Sequence, residues 1–128
     1  MIEINNLTNF AVDKKFLTGV AKKVLKGENR EIVNISIAFV STAEIKKLNQ
    51  KYRKKNKPTD VLSFGKTLDF ESDVAEIVVC PEVVKKNKEK LEKMIVHGTL
   101  HILGYDHEKS KKQSEEMEKK QEYYLSKI

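Results

Sequence analysis

The 128-residue sequence contains a single cysteine, two prolines and no tryptophan. With Cys80 as the lone thiol, no disulfide can form within the chain, which fits a reducing compartment. No apolar run approaches the roughly 18 residues of a membrane span, and the N-terminal MIEINNLTNF lacks the basic and apolar regions of a signal peptide. We therefore expect a cytoplasmic protein with no membrane partner.

Length and net charge limit the number of domains and the kind of binding partner. A chain of this size fits one domain, 1–128, with one core. Its 25 basic and 19 acidic residues give a net charge of +6, which favours a polyanionic partner. A solvated surface of lysine and glutamate is, however, the commoner explanation of such a balance.

Hydrophobic periodicity predicts an interleaved order of strands and helices. Strands are expected around Ile2 and Ile4, at 32–40, at 61–64 and at 74–80, with a loop at 65–73. Helices are expected to begin at Asp13, Ser41, Pro81 and Ser110, and a break near Asn87 is left open. The nearly continuous apolar residues of 74–80 indicate a central strand. We expect an α+β fold with a single mixed four-stranded sheet, about five helices packed against it, and a metal site at the end of the histidine-bearing helix.

All three histidines lie in one segment, HGTLHILGYDH, residues 97–107. In a helix, His97 and His101 share one face, one turn apart. Gly104 then allows the chain to turn back after the helix, which could bring His107 to the other two. Three imidazoles without a fourth protein ligand describe a catalytic zinc site with an open position, one ion per chain. Nickel or another borderline ion also suits imidazole.

Two other interpretations of the histidines are weaker. A structural zinc site would normally take a fourth Cys or His, and Cys80 lies on a predicted strand where a buried apolar role suits it. The spacing also matches the metzincin protease pattern, but Gly98 stands where those proteases have the glutamate that acts as general base. A metal-dependent hydrolase that cleaves another kind of bond, such as a peptide bond, remains an alternative. The absence of the general-base glutamate argues against it.

The second predicted helix runs into the densest basic run of the chain, which comprises Lys51, Arg53, Lys54, Lys55 and Lys57. A solvated helix end is the plain interpretation of these cations, which also suit the helix dipole. Helical spacing places Ile45, Leu48 and Tyr52 on the inward face of that helix, although Tyr52 could instead stack on a base. Asp60 and Asp106 are candidates for supporting the metal ligands, with capping of a turn as the alternative role for Asp106.

Two long motifs, HGTLHILGYDH (97–107) and LNQKYRKKNKPTDVLSF (48–64), resemble those of the YbeY family, the bacterial rRNA-maturation endoribonucleases. The resemblance implies metal ligands at His97, His101 and His107 and a functional arginine at Arg53. It implies a metal-dependent endoribonuclease that acts on single-stranded RNA in 16S rRNA 3′-end maturation and ribosome quality control, and the three imidazoles predict zinc as its metal. Partners would then include 16S rRNA and the ribosome or ribosomal-subunit factors.

On this hypothesis, Arg53 would pair with phosphate oxygens and stabilise the charge that develops at phosphorus. Binding of RNA without sequence preference would come from Lys54, Lys55 and Lys57. The general base is left open, as is the choice between water and the 2′-hydroxyl as nucleophile. A non-catalytic ribosome-assembly factor, whose metal only tethers the last helix, is the remaining alternative.

Overall fold

The fold was analysed in a computed structural model that describes residues 1–65 and 74–128. The predicted loop at 65–73 therefore lies, except for Gly65, outside the described residues. The elements, in chain order, are β1 (Ile2–Asn6), α1 (Lys14–Gly27), β2 (Asn34–Phe39), α2 (Thr42–Arg53), β3 (Val61–Phe64), β4 (Val74–Val79), α3 (Pro81–Lys86), α4 (Leu91–Ile102) and α5 (Lys111–Ser126).

The strands form one mixed sheet in the order β1-β2-β4-β3. β2 pairs in parallel with both β1 and β4, whereas β3 runs antiparallel to β4. The predicted α+β fold with a mixed four-stranded sheet and about five helices is thus confirmed. β4 lies inside the sheet, as its apolar sequence indicates, and its Ile77 and Val79 are fully buried.

Three of the predicted helix starts are confirmed by side-chain caps. The side chains of Asp13, Ser41 and Ser110 each accept a hydrogen bond from the backbone N–H three residues later, at 3.0–3.2 Å. Between α3 and α4 the chain does break: Asn87 caps α3, and Lys88 takes a left-handed conformation with φ of 58°. The histidine-bearing helix is therefore a separate element that begins at Leu91.

One prediction about α2 is wrong. Tyr52 was expected to pack inward but is 56% exposed, and Asn49 is buried instead. The Nδ2 atom of this amide donates a hydrogen bond to the backbone oxygen of Lys57, at 2.8 Å, whereas its buried Oδ1 has no hydrogen-bond partner among the described residues. This bond ties the basic segment back onto its own helix and leaves the Tyr52 ring in contact with Phe64 of β3, at 5.1 Å between centroids.

α4 is held on several sides. It packs against α1, α5, β3 and β4, and it buries Met94, Ile95, Val96, Leu100 and Ile102 in the main core. At Gly98 the helix approaches β4 so closely that a Cβ atom built there would lie 2.9 Å from Cγ2 of Ile77. The first two histidines therefore project from a backbone that the core holds firmly in place.

Candidate metal centre

The three histidine rings meet at one point. His97 and His101 lie one turn apart on α4, and His107 follows the turn after the helix. Ligand-type nitrogen atoms of the three side chains all lie within 4.8 Å of one another, and the ring centroids are 5.3–5.5 Å apart. The convergence inferred from the i, i+4 and i+10 spacing is present.

Gly104 makes this convergence possible. Its φ is 105°, a conformation that L side chains rarely adopt. Its N–H donates to the oxygen of His101, and the N–H of Tyr105 donates to that of Leu100, both at 3.1 Å. This is the Schellman pattern of helix termination, which sends the chain back over the end of the helix.

The returning segment is fixed at two further points. The Tyr105 hydroxyl donates to a carboxylate oxygen of Glu28 at 2.6 Å, which ties the turn to the end of α1. The side chain of Asp106 accepts a hydrogen bond from the N–H of Glu108 at 2.8 Å. This bond spans His107 and so caps the turn that carries it. Of the two roles considered for Asp106, this contact corresponds to the capping role.

His97 is partly buried and has a hydrogen-bond partner on another helix. Its Nδ1 lies 3.0 Å from the amide oxygen of Gln121 on α5. Burial lowers the pKa of His97, and this lowering outweighs the opposing effects of the Gln121 hydrogen bond and the charge of Asp60. The neutral imidazole, the form that binds metal ions, is therefore favoured at neutral pH.

The histidines open into a cleft of about 760 Å³ between α2, β3 and the turn after α4. Arg53, Lys55, Lys57 and Asp60 line the same cleft, so most of the residues singled out in the basic segment do share one site with the histidines. Lys54 is not among the lining residues; it ends α2 in a left-handed conformation with φ of 56°. Asp60 accepts from the N–H of Val61 at 2.8 Å, at the start of β3.

Two residues at the site were missed by the sequence analysis. One is Gln121 on α5, whose amide lies beside His97. The other is Glu108, whose Oε1 lies 3.2 Å from Nη2 of Arg53 and 3.8 Å from Nε2 of His107. Its position directly after the third histidine was the available signal, since the turn fixes that backbone as well.

The donor set fits a borderline divalent ion. Three neutral imidazoles suit zinc, with Zn–N bonds of about 2.0–2.1 Å, and leave room for a further ligand from the cleft. In residues 1–65 and 74–128, these three side chains form the group that could hold an ion. Cys80 lies elsewhere, buried in a smaller core cluster with Val40 and Ile45, as expected of a small apolar residue.

Comparisons with known proteins agree with this architecture. Residues 3–128 match the family model described as endoribonuclease YbeY. The endoribonuclease YbeY of Thermotoga maritima is 40% identical over 126 residues, which cover 89% of this chain and 81% of that protein. That of Buchnera aphidicola is 43% identical over 110 residues, covering 77% and 68%.

The fold is also similar to that of a solved structure. The solution structure of a Thermotoga maritima protein is 34% identical, has a TM-score of 0.64, and matches over 98% of this chain and 87% of that one. In the part of the chain that is described, no helix combines the length and apolar character needed to cross a membrane. The chain belongs to the YbeY family of endoribonucleases.

Proposed function

We propose that this protein is a zinc-dependent endoribonuclease that cuts single-stranded RNA in the cytoplasm, with the 3′ end of 16S rRNA as substrate and ribosome quality control as its setting. One observation carries the proposal: a triad of histidines able to hold an ion opens into the same cleft as an arginine and two lysines. Membership of an endoribonuclease family supports RNA as the polyanion, and the ribosome is the partner that the resemblance of the two sequence motifs implies.

The proposed ligands are His97, His101 and His107, with one ion per chain. When bound, such an ion supplies Lewis acidity toward a phosphate oxygen and lowers the pKa of water. The chain's own contribution is to hold three imidazole rings together on a rigid helix and a capped turn. Nickel or another borderline ion could occupy the same donor set in vitro.

Arg53 is the proposed catalytic side chain. It lines the same cleft as the histidines and pairs with Glu108, and the two side chains of this pair are 38% and 62% exposed. An exposed ion pair of this kind contributes only about 0–1 kcal/mol, so a phosphate group can readily displace it. The planar guanidinium would then pair with two phosphate oxygens and stabilise the charge that builds during phosphoryl transfer.

The rest of the cleft suits a single strand. Lys55 and Lys57 line it, and Lys54 stands next to them in the chain; together they would bind the phosphate backbone without sequence preference. Tyr52 also lines the cleft, with more than half of its surface exposed and its partner ring, Phe64, meeting it edge-on at 63°. An unpaired base can stack on such a ring, whereas a base inside a duplex cannot.

The test combines metal analysis with cleavage of a defined single-stranded RNA that carries the 16S 3′ end. Wild type should bind one zinc ion and cut this RNA but not its duplex, and a chelator should abolish cutting. His101→Ala should lose both metal and activity. Arg53→Ala should keep the metal and cut roughly 10²–10³-fold more slowly, the range for loss of one charge-stabilising donor.

Arg30→Ala is the matched control, because Arg30 is the other arginine of the chain and lies outside the cleft. Metal-loaded wild type that leaves the RNA intact would overturn the proposal, as would His101→Ala with unchanged cutting. The product ends identify the nucleophile: a 2′,3′-cyclic phosphate indicates the 2′-hydroxyl, and a 5′-phosphate indicates water.

A further inference from the structure

We propose that Gln121 is a positioning residue for the metal centre: its amide oxygen holds Nδ1 of His97 as the protonated nitrogen and so presents Nε2 to the ion. This inference rests on the proposed metal-binding function of the histidines. It assigns the C-terminal helix, α5, a part in the site that the two sequence motifs do not reveal.

The hydrogen bond determines which nitrogen binds. A neutral imidazole carries one N–H and one lone pair, and an amide oxygen can only accept. Because Oε1 of Gln121 lies 3.0 Å from Nδ1, this nitrogen donates and the lone pair resides on Nε2. Metal-bound histidines typically donate their second ring nitrogen to an oxygen in this way, which fixes both the tautomer and the orientation of the ring.

The position of Gln121 is itself fixed by packing. Met117 and Tyr124, on the same face of α5, are 2% and 5% exposed. The hydroxyl of Tyr124 and Nζ of Lys120 both donate to Glu28 at the end of α1, the lysine at 3.2 Å. The residues before and after Gln121 on α5 are therefore fixed by packing and hydrogen bonds. This holds the Gln121 amide next to the His97 ring.

The same carboxylate links the two supports of the site. Glu28 also accepts from Tyr105, in the turn that carries the third histidine. Movement of α5 would therefore disturb the partner of His97 and the anchor of the returning turn together. Loss of the Gln121 acceptor alone should leave this network intact and affect only the His97 ring.

The test compares zinc affinity in full-length variants by competition with a chromophoric chelator. Gln121→Met keeps the length and the helix propensity of the side chain but removes the acceptor, and it should weaken zinc binding roughly 10–100-fold. Gln121→Glu restores an acceptor and should bind zinc at least as tightly as wild type. Gln113→Met, at an exposed glutamine of the same helix, is the matched control and should bind like wild type.

A spectroscopic measurement does not depend on the variants. In the zinc-loaded wild-type protein, long-range ¹H–¹⁵N correlation of the histidine rings should show His97 protonated at Nδ1 and coordinated through Nε2. The opposite assignment would overturn the proposal. So would a Gln121→Met protein that binds zinc as tightly as wild type, or equal losses in Gln121→Met and Gln113→Met.

Failure of the proposed function has a separate signature. If wild-type protein binds no zinc or nickel, the metal centre itself is wrong. If wild type binds the ion and Gln121→Met binds it equally well, the metal centre stands and only the role of Gln121 falls. Should Gln121→Met fail to fold by circular dichroism, the ring assignment in wild type and the affinity of Gln121→Glu still decide the question.

Discussion

Gly98, between the two helical histidines, should respond to alanine in the opposite direction from an ordinary helix glycine. The added Cβ would lie 2.9 Å from Cγ2, 3.1 Å from Cδ1 and 3.3 Å from Cγ1 of Ile77. Ile77 is fully buried and lies in a strand paired on both sides, so neither its side chain nor its backbone can easily give way. The helix must shift away from the sheet instead.

Two opposing contributions determine whether Gly98→Ala raises or lowers the free energy of unfolding. Alanine is favoured over glycine within a helix by about 1 kcal/mol. Overpacking a well-filled core costs about 1–3 kcal/mol, and a contact under 3.0 Å with a branched side chain belongs in the upper part of that range. Gly98→Ala should therefore lower the free energy of unfolding by about 1 kcal/mol.

Gly19 provides the matched control. It lies inside α1, and a Cβ built there meets no atom within 4 Å. Gly19→Ala should therefore gain the helix propensity alone and raise the free energy of unfolding by up to about 1 kcal/mol. The two variants should differ by about 2 kcal/mol, or roughly 1 M in the midpoint of urea denaturation followed by circular dichroism. Equal stabilisation of both would refute the argument from packing.

Two further predictions concern a carboxylate and an aromatic ring. Burial raises the pKa of Glu28, but hydrogen bonds from two tyrosines and a lysine outweigh it, so the net pKa falls below its usual 4.5. Such a carboxyl stabilises the fold above pH 4.5 and loses this effect as the pH falls through the lowered pKa. Glu28→Gln should lower the free energy of unfolding in urea denaturation by about 1–3 kcal/mol at pH 7, and this cost should shrink progressively as the pH is lowered below 4.5, unlike that of the exposed Glu31→Gln; a pH-independent cost would contradict this. Tyr52→Leu should weaken binding of single-stranded RNA by about 1–3 kcal/mol in fluorescence anisotropy, Tyr52→Phe should not, and the equally exposed Tyr123→Leu should have no effect.

Structural features that depend on residues close together in the chain could be predicted from the sequence. The side-chain caps at Asp13 and Ser41 depend on residues three apart, and the convergence of the histidines depends on helical spacing followed by Gly104. In each case the interacting groups lie within eleven residues of one another. The strand expected at 32–40 was equally predictable, since β2 buries every second side chain along 34–39, as apolar residues alternating in the sequence require.

Features that depend on distant segments were not predictable. Gln121 lies 24 residues beyond His97, and only the packing of α5 against α4 brings its amide to the ring. Glu28 and Tyr105 are separated by 77 residues. Tyr52 was placed inward because its spacing fits the apolar face, yet the helix ends one residue later and the buried position is taken by Asn49, whose amide finds a carbonyl oxygen. Hydrophobic periodicity carries no information about such a bond.

The packing at Gly98 also explains why a metzincin-like ligand spacing does not make a metzincin-like site. In those proteases the residue after the first histidine supplies the carboxylate that acts as general base. Here that position faces β4, and even a methyl group would overlap Ile77, so a glutamate would be forced into an apolar interface. Among the described residues, the carboxylates that line the cleft together with Arg53 are Asp60, Asp106 and Glu108. The cleft is rich in cations from the segment after α2, which suits a phosphodiester better than a peptide bond.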